Sequence, residues 1–260
     1  MAVHIYSTST SRLLRTLHFG PKNRVVGYKL CPVSEDHVYV FTSGGISKWE
    51  WATGRRIAHW ETSCRKLAVD LTSTSTEDSS CPISFSLGEH KGGKREILVM
   101  SLANNRPLER VVFESTKRIT NLRVALEGQI IVAWDSNKLF IGNGNAHSSG
   151  FSDSVQYVWR EVSLPVNLTC VDIRESTHRA GFRELKTRRR LEEIDIVLGE
   201  SGGSILVLHN ALRFLFNSED SSRTEAISAF RRLHWHRGPV HAVRWSKDGK
   251  SASLERELTV

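Results

Sequence analysis

Hydrophobic residues fall into short runs of four to eight positions, rich in Val, Ile, Leu, Phe and Trp, divided by clusters of Gly, Ser, Asn and Asp. Examples are VHIYS (3–7), HVYVFTS (37–43), REILVMSL (95–102), GQIIVAW (128–134), NKLFIG (137–142), EIDIVLG (193–199) and SILVLH (204–209). Each has the length of a strand, and long helical periodicity is nearly absent. Strands that follow one another with no helix between them predict an antiparallel, all-β fold.

Grouped in fours, the strands repeat. Ile46, Ile97, Leu139 and Ile205 mark the third strand of successive groups, about 40 to 65 residues apart, which suits propeller blades with variable loops. The clearest unit is GGISKWEWATGRRIAHW (44–60): a turn glycine, a strand ending in Trp49-Glu50, a second turn at Thr53-Gly54 and an outer strand. A Trp followed by an acid at the end of the third strand occupies the WD-dipeptide position of a blade. Val3–Leu17 repeats this grammar with Tyr6-Ser7 in place of the Trp-acid pair. HRGPVHAVRWSKDG (236–249) reads as the opening of a blade, with His236 in the connecting loop, an inner strand through Val240, Val243 and Trp245, and a turn closed by Asp248-Gly249.

The expected architecture is therefore an incomplete WD-repeat β-propeller over residues 1–249. It comprises strands three and four of one blade (3–17), whole blades at about 24–60, 65–113, 118–164 and 166–235, and the first strand of another (240–246). Residues 250–260, KSASLERELTV, are polar and helix-leaning, and are expected to form a tail outside it. A chain that starts and stops mid-blade is the pattern of a truncated or mis-spliced version of a longer protein.

Composition adds limits. With 260 residues, 39% hydrophobic and 25% charged, the chain can bury a core. It has no apolar run of membrane-spanning length, and MAVHIYSTST lacks the basic start and apolar stretch of a secretory signal, so the protein is expected to stay inside the cell. Cys31, Cys64, Cys81 and Cys170 lie far apart and read as buried thiols in a reducing compartment. The 36 basic residues outnumber 28 acidic ones, giving a net charge of +8, a surface that attracts nucleic acid or a ribonucleoprotein.

That charge concentrates in RESTHRAGFRELKTRRRLEE (174–193), between the first two strands of the fourth whole blade, where an ordinary turn takes a few residues. Arg174, Arg179, Arg183, Lys186, Arg188, Arg189 and Arg190 make it the candidate contact for RNA phosphates or an acidic protein surface. The alternative is a solvated, partly helical insertion whose Glu192 and Glu193 balance the arginines. A second insertion, FNSEDSSRTEAISAFRR (216–232), has the composition of a flexible connection.

Motifs for chemistry are incomplete. GEHKGGKR (88–95) fits the start of a phosphate-binding loop, but Arg95 replaces the hydroxyl residue and a strand follows where a helix is needed, so a hairpin loop is expected. The glycines of GNGN (142–145) read as a turn. His234, His236 and His241 have no cysteine or carboxylate nearby, so structural roles are favoured over zinc ligation. No nucleophile has an evident partner. No catalytic, cofactor-binding or metal-binding residue is assigned, and no enzyme activity, cofactor or small-molecule substrate is expected.

Beyond the generic repeat, VHIYSTSTSRLLRTL, GGISKWEWATGRRIAHWETSCRKLAV, GSILVLHNALRFLF and RRLHWHRGPVHAVRWSKDG resemble, in order and approximate spacing, the first propeller of the WD repeat-containing protein 75 family and its fungal counterpart Nan. His234-Trp235-His236 is the most telling piece. The resemblance implies a nuclear, nucleolar scaffold of ribosome biogenesis, a subunit of the small-subunit processome that supports transcription and processing of pre-ribosomal RNA beside other processome propeller proteins. Two rivals stand beside it: a generic propeller adaptor, such as a ubiquitin-ligase substrate receptor, and a nucleotide- or metal-dependent enzyme built on GEHKGGKR or the histidines.

Overall fold

The runs of β-branched and aromatic residues form strands that join, hairpin by hairpin, into antiparallel sheets. A computed structural model describes residues 2–7, 9–21, 23–31, 34, 36–61, 66–76, 79–89, 95–103, 106–113, 119–144, 157–177, 192–216, 229–234, 237–245 and 252–255. The chain divides into two units, with the division after Leu122.

The first unit opens with a two-stranded ribbon, β1 (Ala2–Tyr6) and β2 (Leu13–His18). A sheet of four follows, β3 (Val25–Leu30), β4 (His37–Thr42), β5 (Gly45–Glu50) and β6 (Arg55–Glu61), in that spatial order. Its second sheet is β7 (Lys66–Thr76), β8 (Ser79–Glu89), β9 (Arg95–Ser101) and β10 (Arg106–Phe113), again in sequence order.

The second unit repeats the plan. One sheet holds β11 (Asn121–Ala125), β12 (Ile130–Trp134), β13 (Lys138–Gly144) and β14 (Tyr157–Ser163). The next holds β15 (Leu168–Thr177), β16 (Glu192–Glu200), β17 (Ser204–Leu208) and β18 (Arg231–His234), with helix α1 (Ala211–Phe216) after β17. A hairpin of β19 (Ala242–Trp245) and β20 (Ala252–Glu255) ends it. All four whole blades expected from sequence are four-stranded sheets within the expected bounds. The helix-leaning reading of the C-terminal stretch is corrected for Ala252–Glu255: Val243 pairs with Leu254 and Arg244 with Ser253, so ladder pairing overrides weak local preference, and the rest of 250–260 lies outside the described residues.

The packing explains why HVYVFT, IIVAW and EIDIVLG are nearly continuous apolar runs. In β4, Tyr39 and Phe41 face a core with Ile46, Val69 and Leu71, while Val38 and Val40 face another with Leu17. Both faces of β4 are covered, so both sets of its alternating positions are apolar. In β16, Ile194, Ile196 and Leu198 enter one core, and Val197 on the opposite face joins Ile205, Val240 and Val243 in a second. Each such side chain stabilises the fold by roughly 1.5–3 kcal/mol.

Specific polar ties hold neighbouring elements together. Lys29 of β3 donates to Asp70 of β7 at 2.6 Å and to the Leu71 carbonyl at 2.5 Å, joining the two four-stranded sheets of the first unit. Arg15 of β2 donates to the Ala52 carbonyl at 2.6 Å, fixing the ribbon over the turn between β5 and β6. At the start of β5 a Cβ on Gly45 would stand 2.4 Å from the Trp60 carbonyl, so only glycine fits there. Among the described residues no helix is long and apolar enough to cross a membrane.

Candidate nucleic-acid and partner interface

The candidate basic segment is carried by the β15–β16 hairpin. Pairing runs from Cys170↔Gly199 to Thr177↔Glu192 without interruption, after a bulge between Leu168 and Cys170. The two ends of the intervening segment therefore leave the sheet as one cross-strand pair. Arg179, Arg183, Lys186, Arg188, Arg189 and Arg190 lie outside the described residues.

Arg174 lies within β15, opposite Asp195 of β16, on the face that meets β19. Its guanidinium binds the Asp195 carboxylate and stands 4.6 Å from the Trp245 ring centroid. Asp195 is almost fully buried, and a lone carboxylate there would be costly. Its other oxygen accepts from the Asn210 amide at 3.0 Å and lies 3.3 Å from Nδ1 of His209. The Trp245 amide in turn donates to Asp172 at 2.9 Å. Arg174 and Trp245 thus belong to one structural cluster, although the sequence pattern marks only Trp245 as architecture and groups Arg174 with the contact residues.

Further along that face, Glu193 caps α1. Its carboxylate accepts from the Leu212 amide at 3.2 Å and the Arg213 amide at 2.9 Å, where the helix N-terminus favours negative charge. Toward the other end, Cys170 lies against Gly199 and Val240, and burial pushes its thiol pKa up against the lowering pull of Thr169 and nearby arginines. Glu200 accepts from Arg232 at 2.6 Å. Burial pushes its carboxyl up, but bonds from Ser204 and Arg232 outweigh that and hold it below the ordinary range. Sequence reasoning reads Glu193 as a counter-charge to the arginines and passes over Asp195 and Glu200; for Glu193 and Asp195 the signal is an acid at alternate positions of an otherwise apolar strand.

The remaining candidates are scattered. Trp49 packs with Leu17, Val38 and Val40, edge-on to Phe19 at 5.4 Å. Glu50 accepts from the Thr53 hydroxyl, and Gly54 has a φ of 73°, which favours glycine. His236, Asp248 and Gly249 lie outside the described residues. His234 ends β18, and His241 is exposed between Val240 and Ala242. Among the described residues no three His, Cys, Asp or Glu side chains gather as a metal site.

For GEHKGGKR, Glu89↔Arg95 and Gly88↔Glu96 pair β8 with β9, so the segment connects a hairpin. The turn reading of GNGN is corrected for its first three residues, which lie inside β13. Gly142 is there because the Trp159 ring packs on its α-carbon: an added Cβ would stand 2.9 Å from that ring.

No protein-family model matches the chain, and no curated protein matches it. Solved structures do. BBS1N in complex with ARL6DN, soaked with lead, matches with a TM-score of 0.58 at 12% identity, over 99% of this chain and 70% of that one. The mercury-soaked form of the same complex matches with a TM-score of 0.56 at 12% identity, over 96% and 67%. The chain has the β-propeller fold. Its four-stranded sheets are blades, and at this identity the likeness establishes the fold alone.

Proposed function

We propose that the chain is a non-catalytic scaffold of the nucleolar small-subunit processome, acting in pre-ribosomal RNA transcription and maturation. Its blades bind protein partners, and the basic segment beyond Arg174 contacts RNA phosphates. The observation that carries the RNA contact is the β15–β16 hairpin, which delivers the most basic stretch of the sequence from a fixed Thr177↔Glu192 base. The processome assignment is supported by the resemblance of residues 233–249 and the strands before them to the WD repeat-containing protein 75 family.

Protein binding in general draws support from BBS1N, a propeller solved in complex with ARL6DN. A generic adaptor shares this support, and the company the chain keeps separates the two. Tagged full chain purified from nuclei should bring down other processome propeller proteins together with RNA of the 5′ external spacer. Recovery of neither, or diffuse cytoplasmic localisation of the tagged chain, would overturn the assignment.

A further inference from the structure

The outer strand of a blade has one edge that its own sheet does not pair, and among the described residues three of the four such edges, those of β6, β10 and β18, are interrupted or short. β6 bulges at Ile57, since Lys48 pairs with Ala58 and Trp49 with Arg56. β10 carries Pro107, with a bulge between it and Glu109, and β18 is four residues long. β14 has none of these devices. All seven of its residues, Tyr157–Ser163, pair with β13 in unbroken register, and an edge this regular can take a further strand.

The surroundings of that edge select what it would take. Alternate residues share a face, so Val158, Arg160 and Val162 stand together on the side that meets α1. Val162 is buried in a core with Leu215 of the helix, whereas Val158 is 46% exposed. Arg160 between them is exposed, its guanidinium 5.9 Å from the centroid of the Phe216 ring. Arg213, also exposed, precedes Phe216 by three residues and so neighbours it on the helix surface. Among the described residues neither arginine meets a carboxylate.

We propose that the outer edge of β14 docks an extended segment of a partner protein that carries an apolar and an acidic residue two positions apart. Main-chain pairing supplies the ladder, and cross-strand neighbours on the α1 side set the apolar side chain on Val158 and the carboxylate on Arg160. The Phe216 ring holds the guanidinium before the partner arrives, so less side-chain freedom is lost on binding. A chain of net charge +8 draws an acidic segment and repels a basic one. RNA has no amide ladder to add to a strand. Two copies pairing through β14 about its midpoint would set Arg160 against Arg160, which disfavours a second copy as the occupant.

Hydrogen exchange on the full chain tests this, using two synthetic peptides of about eight residues, one repeating Val-Thr-Glu-Thr and one repeating Val-Thr-Lys-Thr. The Glu peptide should slow exchange across Tyr157–Ser163 and bind at least about tenfold more tightly than the Lys peptide. Arg160→Glu, at an exposed position, should reverse that preference, which loss of a merely structural arginine would not do. The wild-type comparison decides by itself if the variant does not fold. Absence of protection at β14 overturns the proposal, as does equal protection by the Lys peptide or by a single-stranded RNA oligomer. Concentration-dependent protection of β14 in the chain alone also overturns it, because a second copy would then hold the edge. The proposal rests on the reading that the blades bind proteins, yet the two fail separately: processome partners recovered by a chain whose β14 stays unprotected would remove this edge only.

Discussion

Arg174 and Trp245 form a stacked pair, guanidinium over indole at 4.6 Å, with Asp195 binding the guanidinium from β16. One arginine thereby ties β15, β16 and β19 together. Arg174→Ala leaves a carboxylate that is 3% exposed without its cation, and should lower unfolding free energy by about 2–4 kcal/mol, near the lower bound for buried pairs because Arg174 is itself 26% exposed. Urea denaturation checks this. An unchanged midpoint would mean that Arg174 is a surface charge like those after it.

Close approach at Gly45 gives a second prediction. Gly45→Ala sets a Cβ against the Trp60 carbonyl, a backbone atom that cannot swing away, and should cost about 1–3 kcal/mol. Gly20→Ala has nothing within 4 Å and should stay within about 0.5 kcal/mol of wild type. Comparable losses in both would refute the steric account.

Glu200 gives the fold an acid-sensitive element. Its carboxyl is held below the ordinary value in the folded state, despite burial, by Ser204 and Arg232. A depressed folded pKa stabilises above the unfolded value of about 4.3, and that contribution is lost as pH falls through the folded value. Glu200→Gln should therefore be less stable than wild type near neutrality, with the gap closing as pH drops below about 4. Denaturation midpoints across that range supply the comparison, and a constant gap would count against the linkage.

Removing charge beyond the hairpin should act on RNA alone. Replacing Lys186, Arg188, Arg189 and Arg190 with Ser should leave the melting temperature unchanged. It should also flatten the dependence of RNA affinity on salt by roughly 0.7 in log-log slope for each phosphate that is no longer neutralised. An unchanged slope would remove the segment from the RNA interface.

Much of the architecture is legible because it is written locally. Trp49-Glu50, Thr53-Gly54 and the apolar runs on either side locate strands and turns without knowledge of their neighbours. What is illegible depends on distant partners. Asn210 stands immediately before helix α1, but the carboxylate that accepts the amides of its first turn comes from Glu193, about twenty positions upstream. Ala252–Glu255, ASLE, carry no strong strand former, and become a strand through the ladder offered by β19. Gly142 has the composition of a turn, and only Trp159, from the next strand, reveals what fills the place of its missing side chain. Arg174 shares its charge with Arg179–Arg190, yet its role is set by Asp195 and Trp245, both far off in sequence.

The pairing of Thr177 with Glu192 separates two kinds of freedom. Since both ends of the segment leave from one rung, residues can be added, removed or recharged between them without shifting any register in the blade. The base of the hairpin is set by the blade's own ladder, which makes it the natural place to graft a new recognition sequence onto the propeller.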